Sequence, residues 1–139
     1  MTLLSKRSAI NVEFGYVIRF LLVGVLNSVV GLGAIYAGKY FLSLGDVPAN
    51  AIGYLVGLLN SFFWNRHWTF SHSGNTASTT ARFILVFAVA YVANLMLMLN
   101  LISWFHLNGY LAQAFAVVPY TVIFYLGSRY FVFVRRVVP

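Results

Sequence analysis

The chain has 139 residues, 61% of them hydrophobic and only 8% charged, with nine Lys and Arg against two Asp and Glu and a formal charge of +7. Soluble domains carry roughly one-quarter charged residues, so this balance argues against a soluble α/β enzyme, a disordered chain or a collagenous one, and the absence of Cys excludes a disulfide scaffold. The few cations sit between long apolar runs, so they read as membrane topology signals rather than as a nucleic-acid surface.

Residues 20–38 lie between Arg19 and Lys39, residues 47–65 between Asp46 and Arg66, and residues 83–128 between Arg82 and Arg129; none of the three runs carries a charge apart from the neutral His106. About 20 helical residues at 1.5 Å each cross the ~30 Å hydrocarbon core. The first two runs hold one helix each and the third holds two, with a turn at residues 106–110. The predicted fold is all-α: a polytopic membrane protein with four transmembrane helices at about 17–42, 48–69, 81–105 and 111–133, one domain over 1–139.

The first helix is longer than a signal-peptide core and a later segment repeats it, so it is read as a span. Along it Gly24, Asn27, Gly31, Ala34 and Gly38 share a face. Residues 43–47 form a tight turn, closed by Pro48 at the start of the second helix. There Ala49, Gly53, Gly57, Ser61 and Asn65 recur every four residues, with Asn50 and Asn60 alongside. Small and amide side chains gain nothing from lipid, so these faces point into the bundle. Two readings stand: close helix packing with amides bonded across helices, or the lining of a polar groove. Residues 71–80 read as a polar, mobile loop. The third helix carries Asn94, and the fourth carries Pro119, which removes a backbone bond and loosens the helix.

Lys6, Arg7, Arg19, Arg66, Arg82, Arg129, Arg135 and Arg136 fall on one side of this topology and Lys39 on the other, which places both termini in the cytoplasm. The second half repeats the first at an offset of 63. Residues 19–70 against 82–133 give eleven identities in 52 positions, with Arg19 recurring as Arg82 and Arg66 as Arg129. Each unit holds two helices, so the halves form a parallel repeat about an axis along the membrane normal.

The four repeat-matched arginines begin or end helices at the cytoplasmic edge. Guanidinium forks suit phosphate; snorkelling anchors are the plainer reading. The run 62–70, Phe-Phe-Trp-Asn-Arg-His-Trp-Thr-Phe, is echoed at 125–133 and reads as an interfacial belt, with Trp68 and Phe70 placed to cover a sugar or an isoprene chain. His67, His72 and His106 lack metal-ligand spacing and read as interfacial or loop residues. No Asp or Glu lies inside a span, and there is no nucleotide loop, no nucleophile with a base and no metal cluster. Neither an enzyme nor a cofactor is expected.

Arg19-Phe20-Leu21-Leu22-Val23-Gly24, with Asn27, then 49–54, Asn60-Ser61-Phe62, Asn65-Arg66-His67-Trp68-Thr69-Phe70 and Arg82-Phe83, resemble the GtrA-like family over about residues 14–135. The resemblance implies a bacterial inner-membrane protein that moves a polyprenyl-phosphate-linked monosaccharide, such as undecaprenyl-phosphate glucose, to the outer leaflet for envelope polysaccharide decoration. It carries Arg19, Asn27, Asn50, Asn65, Arg66, Trp68 and Arg82 over as motif residues. Asn60, Asn94 and Arg129 complete the expected substrate-binding set. The second half departs from the motif, with Ser128 in place of Asn and Gln113 opposite Asn50. Implied partners are the sugar lipid, membrane lipids and membrane glycosyltransferases of the same pathway. Four helices make a thin wall, so a homodimer with both subunits in one orientation is expected. The competing readings are a non-transporting partner of a glycosyltransferase and, disfavoured by the missing intramembrane carboxylate, a small multidrug-type cation exporter.

Overall fold

The computed structural model describes residues 3–134. Arg135 and Arg136, two of the cytoplasmic cations, lie outside the described residues, as do the side chains of Lys6 and Arg7. The elements are α1 (Leu3–Leu42), α2 (Asp46–Trp64) ending in a π turn (Asn65–Thr69), α3 (Thr76–Phe105), and α4 (Gly109–Gly127) ending in a second π turn (Ser128–Val132). The chain divides between Ser71 and His72 into two compact units, each a pair of helices.

Among the described residues, three stretches are long and apolar enough to cross a membrane: Ile10–Leu42, Thr76–Phe105 and Leu111–Val132. The shorter α2, 19 residues with Asn50, Asn60 and Ser61 along it, is not among them. Leu21, Leu22, Val25, Val29 and Leu32 are exposed on α1, as are Leu85, Val89 and Val92 on α3. Exposed apolar faces of this length suit hydrocarbon, where only a helix keeps its backbone groups bonded. The chain is a multi-pass membrane protein.

Two boundaries differ from those expected. Helix α1 starts at Leu3 rather than near 17, because the charges mark the edge of the apolar run and not the end of helical propensity; no Pro or Gly interrupts residues 3–14. Helix α3 starts at Thr76 rather than 81, so half of the expected polar loop is helical. Asn75 is its N-cap, accepting from the Ser78 backbone N–H at 3.1 Å, and the Thr79 and Thr80 hydroxyls donate back to the carbonyls of Asn75 and Thr76. The turn after α3 falls where it was expected. His106 takes a left-handed backbone (φ 52°) and Asn108 caps α4 by accepting from Leu111 N–H at 2.9 Å.

In the first unit, the four-residue ladder Ala49, Gly53, Gly57, Ser61, Asn65 is buried throughout and continues into Thr69. Its small side chains let α1 and α2 approach closely: a Cβ on Gly53 would stand 2.8 Å from the Gly31 carbonyl oxygen and run into the Ile35 side chain. Only part of the expected α1 face takes part. Gly31 meets Gly53 and Asn27 meets Gly57, whereas Gly24 has open space around it. In the second unit, Ala90 and Asn94 of α3 and Ala112, Ala116, Phe124 and Ser128 of α4 are buried.

The two units share local detail at a constant offset of 63. Phe20, Val23, Ala49 and Phe70 are buried, and so are Phe83, Val86, Ala112 and Phe133. Leu44 N–H bonds to Gly38 C=O at 3.2 Å, and Leu107 N–H to Leu101 C=O at 3.3 Å. Each π turn closes with one i→i+5 bond of 2.9 Å, from Phe70 N–H to Asn65 C=O and from Phe133 N–H to Ser128 C=O.

Candidate arginine–aromatic site

Each helix pair carries two arginines beside its π turn. In the first unit, Arg19 projects from α1 one turn before the buried Val23 and donates through Nη1 to the Trp68 carbonyl at 3.4 Å. Its guanidinium carbon lies 5.8 Å from the centre of the Trp68 ring. Carbonyls at a helix C-terminus lack intrahelical partners, so this arginine caps the end of the hairpin that its own helix begins. In the second unit Arg82 repeats the arrangement, donating to the Phe131 carbonyl at 3.5 Å with the ring centre at 5.5 Å. Both bonds are long, and the ring contacts contribute about 0.5–1 kcal/mol at exposed sites. The two guanidinium groups are oriented and exposed.

Arg66 and Arg129 are half-buried within the π turns themselves, over the rings of Phe62 at 5.8 Å and Tyr130 at 5.4 Å. Widening the helix by one residue per turn places polar side chains in the packed face. Asn65 Oδ1, Thr69 Oγ and Ser128 Oγ are buried without a hydrogen-bond partner, although the Asn65 amide donates to Ser61 Oγ at 3.2 Å. Unsatisfied groups of this kind cost about 1–3 kcal/mol each, and π turns concentrate where a helix is bent to a purpose.

The amides do not line an open groove within the first unit. Asn60 Nδ2 donates to Asn27 Oδ1 at 2.9 Å across the α1–α2 contact, and Asn65 Nδ2 is engaged by Ser61 Oγ. Asn50 is exposed on another face of α2. Asn94 is buried in α3, 63 positions after the Gly31 contact. Trp68 is 40% exposed, its carbonyl and ring both turned to Arg19. His67 Nδ1 meets the Phe63 carbonyl at 2.8 Å, so that nitrogen carries the proton. His72 Nε2 meets Thr79 Oγ at 3.2 Å, and since that hydroxyl already donates to Asn75, the histidine is the donor.

Phe70 stands between two rings of α1, 5.7 Å from Tyr16 and 6.4 Å from Phe20. It is a core residue rather than a cover for a sugar. Its counterpart Phe133 packs at 6.0 Å on Phe83 and 5.7 Å on His72. One feature was not anticipated from the sequence. Along α3 and α4, Leu85, Val89, Ile123, Leu126, Gly127 and Phe131 border an open apolar groove of about 430 Å³. Gly127, the sole glycine of the run 125–133, is where the Val86 side chain packs against α4.

A family model described as "GtrA/DPMS, transmembrane domain" matches residues 19–133. The chain is also 36% identical over 52 residues to an uncharacterized membrane protein, YngA, of Bacillus subtilis (strain 168). That stretch covers 37% of this chain and 34% of the relative.

Proposed function

Since the chain belongs to the GtrA/DPMS transmembrane-domain family, we propose that it moves a polyprenyl-phosphate-linked monosaccharide, such as undecaprenyl-phosphate glucose, across the bacterial inner membrane. The sugar travels from the cytoplasmic to the outer leaflet and is used there to decorate envelope polysaccharide. The observation that supports this most directly is the duplicated clamp: Arg19 on Trp68 and Arg82 on Phe131, each an exposed, oriented guanidinium. A phosphate leaving water for hydrocarbon faces a large solvation cost, and a guanidinium fork recovers part of it through two parallel charge-assisted bonds. In this reading the two units are an internal repeat of two spans each, four in all, with both termini cytoplasmic. The carrier equilibrates the lipid without catalysis, and consumption outside sets direction. It works as a homodimer with both subunits in one orientation, beside the glycosyltransferases that make and use the lipid.

The test is transport in vesicles reconstituted with a labelled lipid-linked sugar. Arg19→Gln and Arg82→Gln together are expected to slow transbilayer movement about ten-fold or more, and Arg66→Ala to slow it as well. Movement no faster than in empty vesicles, or variants equal to wild type, rejects the proposal.

One observation favours a second reading. Asn27 and Asn60 bond each other, which takes that amide pair up in helix packing and suits a non-transporting partner that docks a membrane glycosyltransferase. Co-purification with such an enzyme, combined with no movement of lipid by the chain alone, selects this reading over transport.

A further inference from the structure

Along the packed face of α2 and its π turn stand three polar side chains, Ser61, Asn65 and Thr69, exposed by only 3%, 1% and 0%. Positions four apart lie on one face of a helix, so each follows the last by about a turn. The Asn65 amide nitrogen donates to Ser61 Oγ at 3.2 Å, which fixes the side chain and leaves Oδ1 as its remaining acceptor. That oxygen and Thr69 Oγ are both buried and make no hydrogen bond within the chain. Buried polar atoms are bonded to something in the large majority of cases, and here two of them sit within a single turn.

The donor set restricts what can join them. Oδ1 takes only a donor, whereas the Thr69 hydroxyl both donates and accepts. A cation would suit two oxygens but would stand among positive charges: Arg66 belongs to the same turn, and Arg19 reaches the carbonyl of Trp68, which lies between Asn65 and Thr69 in the chain. An anion would meet the lone pairs of Oδ1. The smallest neutral molecule that donates to one group and accepts from the other is water, and a buried water needs at least two polar partners.

The second unit lacks the second partner. Sixty-three positions later the same face reads Phe124, Ser128 and Val132, all buried. Ser128 Oγ is again without a hydrogen bond, but the residues four before and four after it are apolar.

We propose that one water molecule is held inside the first π turn, donating to Asn65 Oδ1 and accepting from the Thr69 hydroxyl, and that the second π turn holds none. The site stands apart from the transport reading. It makes Thr69 a water ligand, and it braces the turn that presents Trp68 to Arg19.

The test uses the full chain, in detergent for thermal unfolding and in lipidic-mesophase crystals for electron density. Thr69→Val keeps the shape of the side chain and removes the hydroxyl, so Oδ1 loses the shared water; the unfolding midpoint is expected to fall by about 3 °C or more. Ser128→Ala removes a hydroxyl that shares nothing, and the midpoint is expected to stay level or rise. In wild-type density a peak within roughly 3.2 Å of both Asn65 Oδ1 and Thr69 Oγ is expected, with none beside Ser128 Oγ. If Thr69→Val does not fold, the wild-type density decides by itself. A midpoint unchanged or raised by Thr69→Val overturns the proposal, as does an equal fall with Ser128→Ala. So does a Thr69 hydroxyl bonded to a backbone carbonyl with no peak beside it, or a peak ringed by five or more oxygens as a metal ion would be.

Discussion

Asn27 and Asn60 show how a half-buried amide is used in this chain. Two polar side chains 33 residues apart meet at 2.9 Å because the glycines beside them let α1 and α2 close up. Such bonds in membrane proteins contribute about 0.6 kcal/mol on average and up to about 1.7. A double-mutant cycle of Asn27→Ala and Asn60→Ala, read by unfolding in mixed micelles, is expected to give a coupling energy in that range. A value near zero means that the two amides bond elsewhere in the membrane. That both amides turn toward another helix was legible from composition, since lipid offers them nothing. Their partnership was not, because helical spacing ranks faces within one helix and is silent about which residue of another helix stands opposite. The same holds for Arg19 and Arg82. Their recurrence could be read directly, while their bonds to the Trp68 and Phe131 carbonyls depend on π turns that no local residue pattern announces.

Among the elements, α1 and α2 depend on the close contact of Gly31 and Gly53. Gly53→Val drives a branched side chain into Ile35 and the Gly31 carbonyl, which is expected to cost at least 1–3 kcal/mol, roughly the range for overpacking. Gly24→Val, in open space on the same helix, is expected to stay within about 0.5 kcal/mol. Thermal unfolding of the two variants in one detergent separates them, and equal midpoints contradict the packing described. Ser43 closes α1 with φ 51°, a conformation that costs a non-glycine residue about 1–2 kcal/mol. Ser43→Gly is therefore expected to raise the unfolding midpoint. The glycine ladder of α2 was visible as a period of four, and all of it is buried. The early start of α3 is not legible in the sequence, because Ser, Thr and Asn suit a loop and an N-cap with its first turn equally well; here Asn75 caps the helix by accepting from Ser78 N–H.

At the scale of the whole molecule, the clearest regularity is the offset of 63. It recurs in the buried aromatic pairs, the helix-end bonds, the π turns and the arginine clamps. Eleven identities among largely apolar residues carried little weight by themselves; the contacts that recur at the same offset support the proposed repeat. The proposed topology makes a direct prediction, and a chain without native cysteine is suited to test it. Single cysteines placed at Ser43 and at Asn108 are expected to react with an impermeant thiol reagent added to intact cells, and one at Ser73 only after lysis. Reaction at Ser73 from outside inverts the topology and moves the arginines away from the cytoplasmic leaflet that the proposed function requires.

The π turns also constrain how the gene can change. Each one delays the helix by one residue, a rotation of about 100°, and it is this rotation that brings Phe70 and Phe133 inward after the regular ladder of contacts has ended. Deleting any single codon between 66 and 68, or between 129 and 131, puts the phenylalanine four residues after Asn65 or Ser128, so an ordinary helical turn replaces the π turn and the phenylalanine stays on the packed face. The same deletion in the link at 71–74 only shortens a tether. Length variation among relatives should therefore be free in that link and, at the two helix ends, be confined to loss of the single extra residue that each π turn holds.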